Sequence, residues 1–196
     1  MLPSVADRHL SGTGALAAGP DRAVVAELGA PVAADRFRRV LGHLPTGVTL
    51  ITATTPAGPT GMAVNSFTSV SLDPPLVSFC AARSSSTWPR IRAAGAFTVN
   101  VLGEDDADLC RRFARKGADR FAGVRHRPGA TGAPVLDGVA AHLACRLEAE
   151  HDAGDHVIVV GRVVQLDADE TVRPLVFHGG GYCALQPTAL APPLQE

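Results

Sequence analysis

Lysine is nearly missing from this chain: of its 18 basic side chains only Lys116 is a lysine, and the rest are arginine. That bias carries no mechanism by itself. No stretch approaches the roughly 20 consecutive apolar residues that cross a bilayer, so no transmembrane helix is expected. No CxxC pair occurs. Cys80, Cys110, Cys145 and Cys183 lie far apart with no histidine at ligand spacing, which argues against a zinc site or a disulfide framework and for reduced thiols. No GxGxxG follows a strand and there is no Walker-type phosphate loop, so the common nucleotide folds are disfavoured. With 18 basic and 19 acidic residues the formal net charge is −1, which gives neither nucleic acid nor an anionic membrane an electrostatic hold. The first 20 residues lack the basic-then-apolar order of a secretory signal. A cytoplasmic protein without a metal centre is expected.

A chain of 196 residues with 46% hydrophobic and 19% charged residues is globular and long enough for one well-buried domain. Residues 1–32, rich in Ala, Gly and Pro, are expected to be a mobile N-terminal tail, with a short helical piece around Ala23 to Leu28. The domain is expected over 33–186, and 187–196 is a Pro-rich C-terminal tail. Phe37, Val40, Leu41 and Leu44 follow helical spacing until Pro45 and Gly47 stop them. VTLITAT (48–54), LVSFCA, AFTVNVL (96–102), VAAHLACRLEAEH (139–151) and HVIVVGRVVQL (156–166) read as strands, the last two joined by the turn DAGD. TWPRIRAAG reads as a short helix. EDDADLCRRFARKG reads as another, with acids in its first turn and bases in its last. Residues 117–138 are expected to form a long surface loop. Strands in hairpin succession, with few helices between them, predict a mainly β fold: an antiparallel barrel or sandwich.

Two stretches carry groups suited to a ligand. GMAVNSFTSVSLDPPLVSF (61–79) reads as a strand, a turn and a second strand. It bears Asn65, Ser66, Thr68, Ser69 and Ser71 with no charge before Asp73. Alternation puts Gly61, Ala63, Asn65, Phe67, Ser69 and Ser71 on one face. Small residues at 61 and 63 let a ligand reach the backbone, and neutral donors and acceptors suit a flat polar heterocycle. The other reading is a polar edge strand whose hydroxyls satisfy loop backbone. In ARSSSTWPRIR (82–92), three serines and Thr87 precede a helix, with Arg83 close by. Free N–H groups, hydroxyls and a guanidinium make a phosphate cradle; the other reading is a simple N-cap. Trp88, beside Pro89, is expected to pack rather than stack on a ligand.

FRRVLGHLPTGVTLITA, GMAVNSFTSVSLDPPLVSFC, SSSTWPRI, FTVNVL, RFAGV and GDHVIVVGRV occur in this order. Together, over about residues 33–186, they resemble the flavin reductase family with an FMN-binding split barrel, the reductase partners of two-component flavin monooxygenases. The resemblance implies a six-stranded antiparallel split β-barrel of Greek-key type with a few flanking helices, in a homodimer. It implies an enzyme that moves hydride from NADH or NADPH to FMN or FAD and hands reduced flavin to a monooxygenase component. Carried over by position, Gly61, Met62, Ala63, Val64, Asn65 and Ser66 lie along the isoalloxazine and ribityl chain, and Cys80, Ala81 and Ala82 give backbone contacts. Ser84, Ser86 and Thr87 meet the phosphate, with Arg120 supplying charge. Phe113 and Ala114 pack near the flavin. His156, in the GDH segment, lines the nicotinamide side as the candidate catalytic residue, where an imidazole can donate a hydrogen bond; its other reading is a turn histidine bonded to Asp155 or Asp152. Tyr182 borders the nicotinamide pocket. Ala63 stands where many members carry threonine, which removes one hydroxyl contact. Two readings compete: a split-barrel oxidase of pyridoxamine-phosphate oxidase type, and a non-catalytic flavin- or haem-binding module.

Overall fold

β-Branched runs set the strands in the computed structural model, which describes residues 31–115, 117 and 119–186. The expected tails over 1–30 and 187–196, and the helical piece at Ala23 to Leu28, lie outside the described residues. Contacts divide the chain into Met1–Phe37 and Arg38–Glu196. The described part of the first unit is residues 31–37, which open helix α1 (Ala34–Leu41), none of whose residues is buried. In the second unit, the strands are β1 (Thr46–Gly47), β2 (Thr49–Thr55), β3 (Gly58–Val64), β4 (Thr68–Leu72) and β5 (Pro75–Ala82). Helix α2 (Trp88–Ala94) leads to β6 (Ala96–Val101), and α3 (Ala107–Ala114) follows. The chain closes with β7 (His126–Pro128), β8 (Pro134–Leu136), β9 (Ala141–Ala153), β10 (His156–Ala168), β11 (Leu175–His178) and β12 (Gly181–Ala184). Gly95 ends α2 with φ 67° and returns its N–H to Arg92 O, a left-handed cap that favours glycine.

The main sheet has seven antiparallel strands in the order β3-β2-β6-β9-β10-β5-β4. Among the described residues no ladder joins its outer strands, β3 and β4, so the sheet is open where six strands of a barrel were expected. A smaller sheet, β1-β11-β12, and the hairpin β7-β8 complete the fold. Ile51 and Ala53, Val64, Val77 and Phe79, Phe97 and Val99, Cys145, and Val159 bring side chains from six strands into one cluster. Phe79 sits at its centre, edge-on to Trp88 at 5.5 Å and to Phe97 at 5.6 Å. Gly161 lies over Phe97: a Cβ there would come within 2.6 Å of the ring. A second cluster on the other face of β2 joins Val48 and Leu50 to Cys110 and Phe113 of α3 and to Leu175 of β11. Burial on both faces explains why VTLITA is nearly continuous in apolar and threonine residues.

Two expectations are corrected. The stretch 61–71 is not one strand: β3 ends at Val64, residues 65–67 bend, and β4 pairs with β5 across an irregularity between Ser69 and Ser71. Its hydroxyls therefore do not share one face. Residues 117–138 are not all loop, because β7 and β8 form a hairpin there. That hairpin is held from the sheet: buried Asn100 Oδ1 accepts the Leu136 N–H at 2.8 Å, and Thr52 Oγ1 donates to Pro134 O at 2.5 Å. Asn100 Nδ2 donates to Thr52 Oγ1 at 3.0 Å; a fully buried amide is tolerated when it is partnered in this way. No helix among the described residues is long and apolar enough to cross a membrane.

Candidate functional site

Helix α3 covers the outer face of β3, and the sequence of both elements shows why. Gly61 has no side chain because Phe113 occupies its place: a Cβ would meet Phe113 Cε1 at 2.8 Å and Ile51 O at 3.0 Å. The small residue thus admits a protein ring, where the sequence pointed to a ligand approaching the backbone. Phe113 is itself buried and edge-on to Phe121 at 5.1 Å. Beyond this contact the small side chains do leave room. A slot of about 160 Å³ opens between Val48, Ala63, Val64 and Asn65 on one side and Cys110, Ala114, Phe177 and Tyr182 on the other. Its walls are chiefly apolar, and the Asn65 amide is the neutral hydrogen-bonding group at its rim. Met62 points the other way, against the cluster around Phe79.

A second cleft, of about 400 Å³, lies at the opposite end of β3 between Thr60, Gly61, Ser86, Thr87, Arg90, Asp119, Arg120 and Phe121. Arg120 holds it together. Its Nη1 donates to Gly61 O at 2.7 Å and to Thr87 Oγ1 at 2.9 Å, while Nε and Nη2 donate to Arg115 O. Burial and then the nearby Arg90 guanidinium lower the Arg120 pKa. Two like charges facing one cleft favour an anion between them. Arg90 was not singled out by sequence reasoning; its place one helical turn after Ser86 and Thr87 is the signal that would have found it.

The serine run divides. Ser85 Oγ accepts the N–H groups of Thr87 at 3.2 Å and Trp88 at 3.1 Å, so one hydroxyl serves as the helix cap and takes up N–H groups expected to be free for phosphate. Ser86 and Thr87 face the arginine cleft, and Ser84 is exposed. Arg83 belongs to neither: it pairs with Asp152 at 2.5 Å and donates to Gly154 O at 3.0 Å, binding this loop to the β9–β10 turn. Glu150 adds a second tie. It accepts the Trp88 indole N–H at 2.8 Å and pairs with Arg92 at 2.6 Å.

The backbone of Cys80, Ala81 and Ala82 is largely committed within the fold. Cys80 N–H donates to Ser66 Oγ at 2.8 Å, Ala81 pairs with Val157, and Ala82 O accepts from Ser85 N. Ser66 therefore ties the end of β3 to β5 instead of standing free. His156 opens β10 opposite Ala82, with Nδ1 2.7 Å from Asp155 Oδ1. That contact holds the Asp155 carboxyl below its ordinary value. His156 lines neither the slot nor the arginine cleft of this chain. Tyr182 does line the slot, and its hydroxyl donates to Cys110 Sγ. Burial, reinforced by that contact, pushes the phenol up to about 12; burial also raises the thiol above its ordinary range, although the same contact and then Arg111 act to lower it. Cys110 was also missed; it lies three residues before Phe113 on the same helical face.

A strand of small residues thus runs between an apolar slot and a hydroxyl- and arginine-lined cleft. The chain belongs to the flavin reductase like domain family, which matches residues 41–186. It is 49% identical over 147 residues to a flavin reductase of Pseudomonas putida, covering 74% of this chain and 86% of that protein. Among solved structures, it superposes on nitrilotriacetate monooxygenase component B from Mycobacterium thermoresistibile with a TM-score of 0.79 at 41% identity, over 83% of this chain and 92% of that one. It is also similar to the Streptomyces globisporus C-1027 NADH:FAD oxidoreductase in complex with NAD and FAD fragments (TM-score 0.75, 37% identity), over 79% and 94% of the two chains.

Proposed function

We propose that this chain is an NAD(P)H:flavin oxidoreductase that reduces FMN or FAD and passes the reduced flavin to a separate monooxygenase component. The observation that carries the reading is the layout along β3. Gly61 lines the arginine cleft, while Ala63 and Val64 at the end of β3, with Asn65 just beyond it, line the slot, so the two places follow one another along the same strand. A flavin's ring and its phosphate need two such places, linked by a groove that a ribityl chain can follow. The donor set fits: hydroxyls of Ser86 and Thr87 with the guanidiniums of Arg90 and Arg120 suit a phosphate, and the walls at Ala63 and Ala114 admit a flat ring.

Bound flavin would supply the N5 atom that accepts hydride from nicotinamide C4. The protein's part is to hold the two rings in contact and keep water from between them. Ala63 and Val64 support one face, Asn65 offers an amide to the ring edge, and Tyr182 borders the nicotinamide. Arg120 and Thr87 fix the phosphate end. No side chain need exchange a proton with the reacting atoms, which accounts for a site of small, neutral groups. His156 is assigned to the nicotinamide side, its ring oriented by Asp155, with Ser84 at the rim of the phosphate site.

The sheet is read as the six-stranded split barrel, with β4 a flap beside it. Support comes from the Ser66–Cys80 hydrogen bond, which draws β3 toward β5, and from the single cluster that six strands share. A homodimer is proposed as well; exposed Val70, Leu72, Val164 and Leu166 on β4 and β10 offer an apolar surface for a second copy. The domain is taken as 33–186, and the location as cytoplasmic. Anaerobic addition of NADH to the protein with FMN tests the reading. Bleaching of the flavin band near the mixing time supports it, and an unchanged spectrum with either flavin and either nicotinamide nucleotide refutes it.

A further inference from the structure

The β7–β8 hairpin, the start of β9 and the end of β10 border a third cleft, of about 480 Å³, which is larger than the slot or the arginine cleft and shares no lining residue with either. His142 lines it. This imidazole is only 7% exposed, yet among the described residues no group hydrogen-bonds to its ring. Its neighbours across the two ladders are already engaged. The Asn100 amide on β6 is spent on Leu50 O, Thr52 Oγ1 and the Leu136 N–H, and Asp167 on β10 accepts the Ala168 N–H. Burial, then Arg127, lower the imidazole's pKa against the opposing effect of Asp167, so near neutral pH the ring is uncharged and offers a lone pair. A polar group this buried is costly to leave without a partner, and an N–H donor entering the cleft would satisfy it.

Acidic groups rim the same cleft. Asp167, Asp169 and Glu170 are exposed and have no ion pair among the described residues, while Asp137 is offset by Arg125 at 3.6 Å. Thr171 donates its hydroxyl and N–H to Asp169 and holds that carboxyl below its ordinary value, so its charge is kept. Arg127 is the one cation in the lining. The described residues bring no three His, Cys, Asp or Glu side chains together as ligands for a metal ion. The excess of negative charge is spread along the cleft, which suits an extended cation whose N–H groups reach several acceptors. We propose that this cleft binds an organic cation, a primary ammonium or guanidinium compound, with His142 accepting one N–H and Asp167 and Glu170 pairing with its charge. The inference does not rest on the reductase reading, since none of these residues belongs to the slot or the arginine cleft.

The test titrates spermidine and agmatine into the full chain by calorimetry at low ionic strength, for the parent and for D167N, E170Q, H142L and R127Q. Spermidine carries ammonium groups and agmatine adds a guanidinium, so the tighter binder names the headgroup. One molecule should bind with a Kd below about 1 mM. Loss of a hydrogen bond to a charged group predicts about tenfold weaker binding in D167N and in H142L, and loss of the exposed charge about two- to fivefold in E170Q. R127Q decides the sign. Removing a guanidinium that repels the ligand should tighten binding about two- to fivefold, whereas an Arg127 that held an anionic group of the ligand would make the same variant bind more weakly. D105N, which neutralises an exposed carboxylate outside the cleft, should leave Kd within about twofold. No saturation below about 1 mM with either compound, weaker binding in R127Q, or equal losses in D105N and D167N would overturn the proposal. Should H142L fail to fold, D167N and R127Q decide, since both side chains they replace are exposed.

Discussion

Adding one methyl group at Gly61 separates a packing role from a ligand-approach role for that residue. In G61A the new Cβ meets Phe113 Cε1 at 2.8 Å and Ile51 O at 3.0 Å. The carbonyl of β2 cannot yield, since β2 is paired on both sides. The Phe113 ring must therefore move, and it is buried against Phe121. Overpacking of this kind costs roughly 1–3 kcal/mol; with one immovable and one confined neighbour, about 2 kcal/mol is expected. For a domain of this size that lowers Tm by about 4–8 °C. The assay is thermal unfolding of G61A, F113L and G61A/F113L. Leucine has no atom at the Cε1 position, so the double variant should lie above the sum of the two single losses by about 1 kcal/mol. A G61A protein as stable as the parent but unable to bind FMN would refute the packing account and restore the ligand-approach reading.

Three further outcomes follow from the site and the core. R120A should weaken FMN about tenfold or more while riboflavin, which lacks the phosphate, changes within about twofold; equal losses for both would contradict the assignment of the arginine cleft. E150Q removes the charge that pairs with Arg92 and weakens the acceptor for the Trp88 indole. A Tm lower by about 2–4 °C is expected, with a shifted emission from Trp88, the only tryptophan; unaltered emission would count against the contact. His142 is buried, and desolvation first, then Arg127, lower its pKa from 6.5, against an opposing effect of Asp167. The unfolded chain therefore binds the proton more readily, so stability is whole above about pH 6.5 and falls as pH drops through the lowered folded value. Denaturant unfolding from pH 7.5 to 5 should show the parent losing stability that H142Q keeps, and parallel curves would contradict it.

Much of the architecture was legible because its signals are local. The two-residue turn at Gly154-Asp155 between long alternating strands, and the acid-to-base gradient of α3, need no tertiary knowledge. The β7–β8 hairpin was not legible: its Gly- and Pro-rich sequence pairs only because Asn100 and Thr52 reach it from strands far away in the chain. The bend at 65–67 escaped for a related reason, since Ser66 leaves the alternation to satisfy the Cys80 N–H. The site was read through its hydroxyls and its glycine, yet three of those groups turned out to be structural: Ser85 caps a helix, Ser66 binds β5, and Gly61 makes room for Phe113. Arg90 and Cys110, which face the two cavities, carry no motif and are found only once α2 and α3 are laid against β3.

The most direct test of the central claim is the steady-state rate of NADH loss by purified protein as free FMN or FAD is added. The account predicts a rate that saturates with added flavin, with reduced flavin accumulating in solution under anaerobic conditions. A rate indifferent to added flavin, or no turnover with either flavin and either nicotinamide nucleotide, would contradict it.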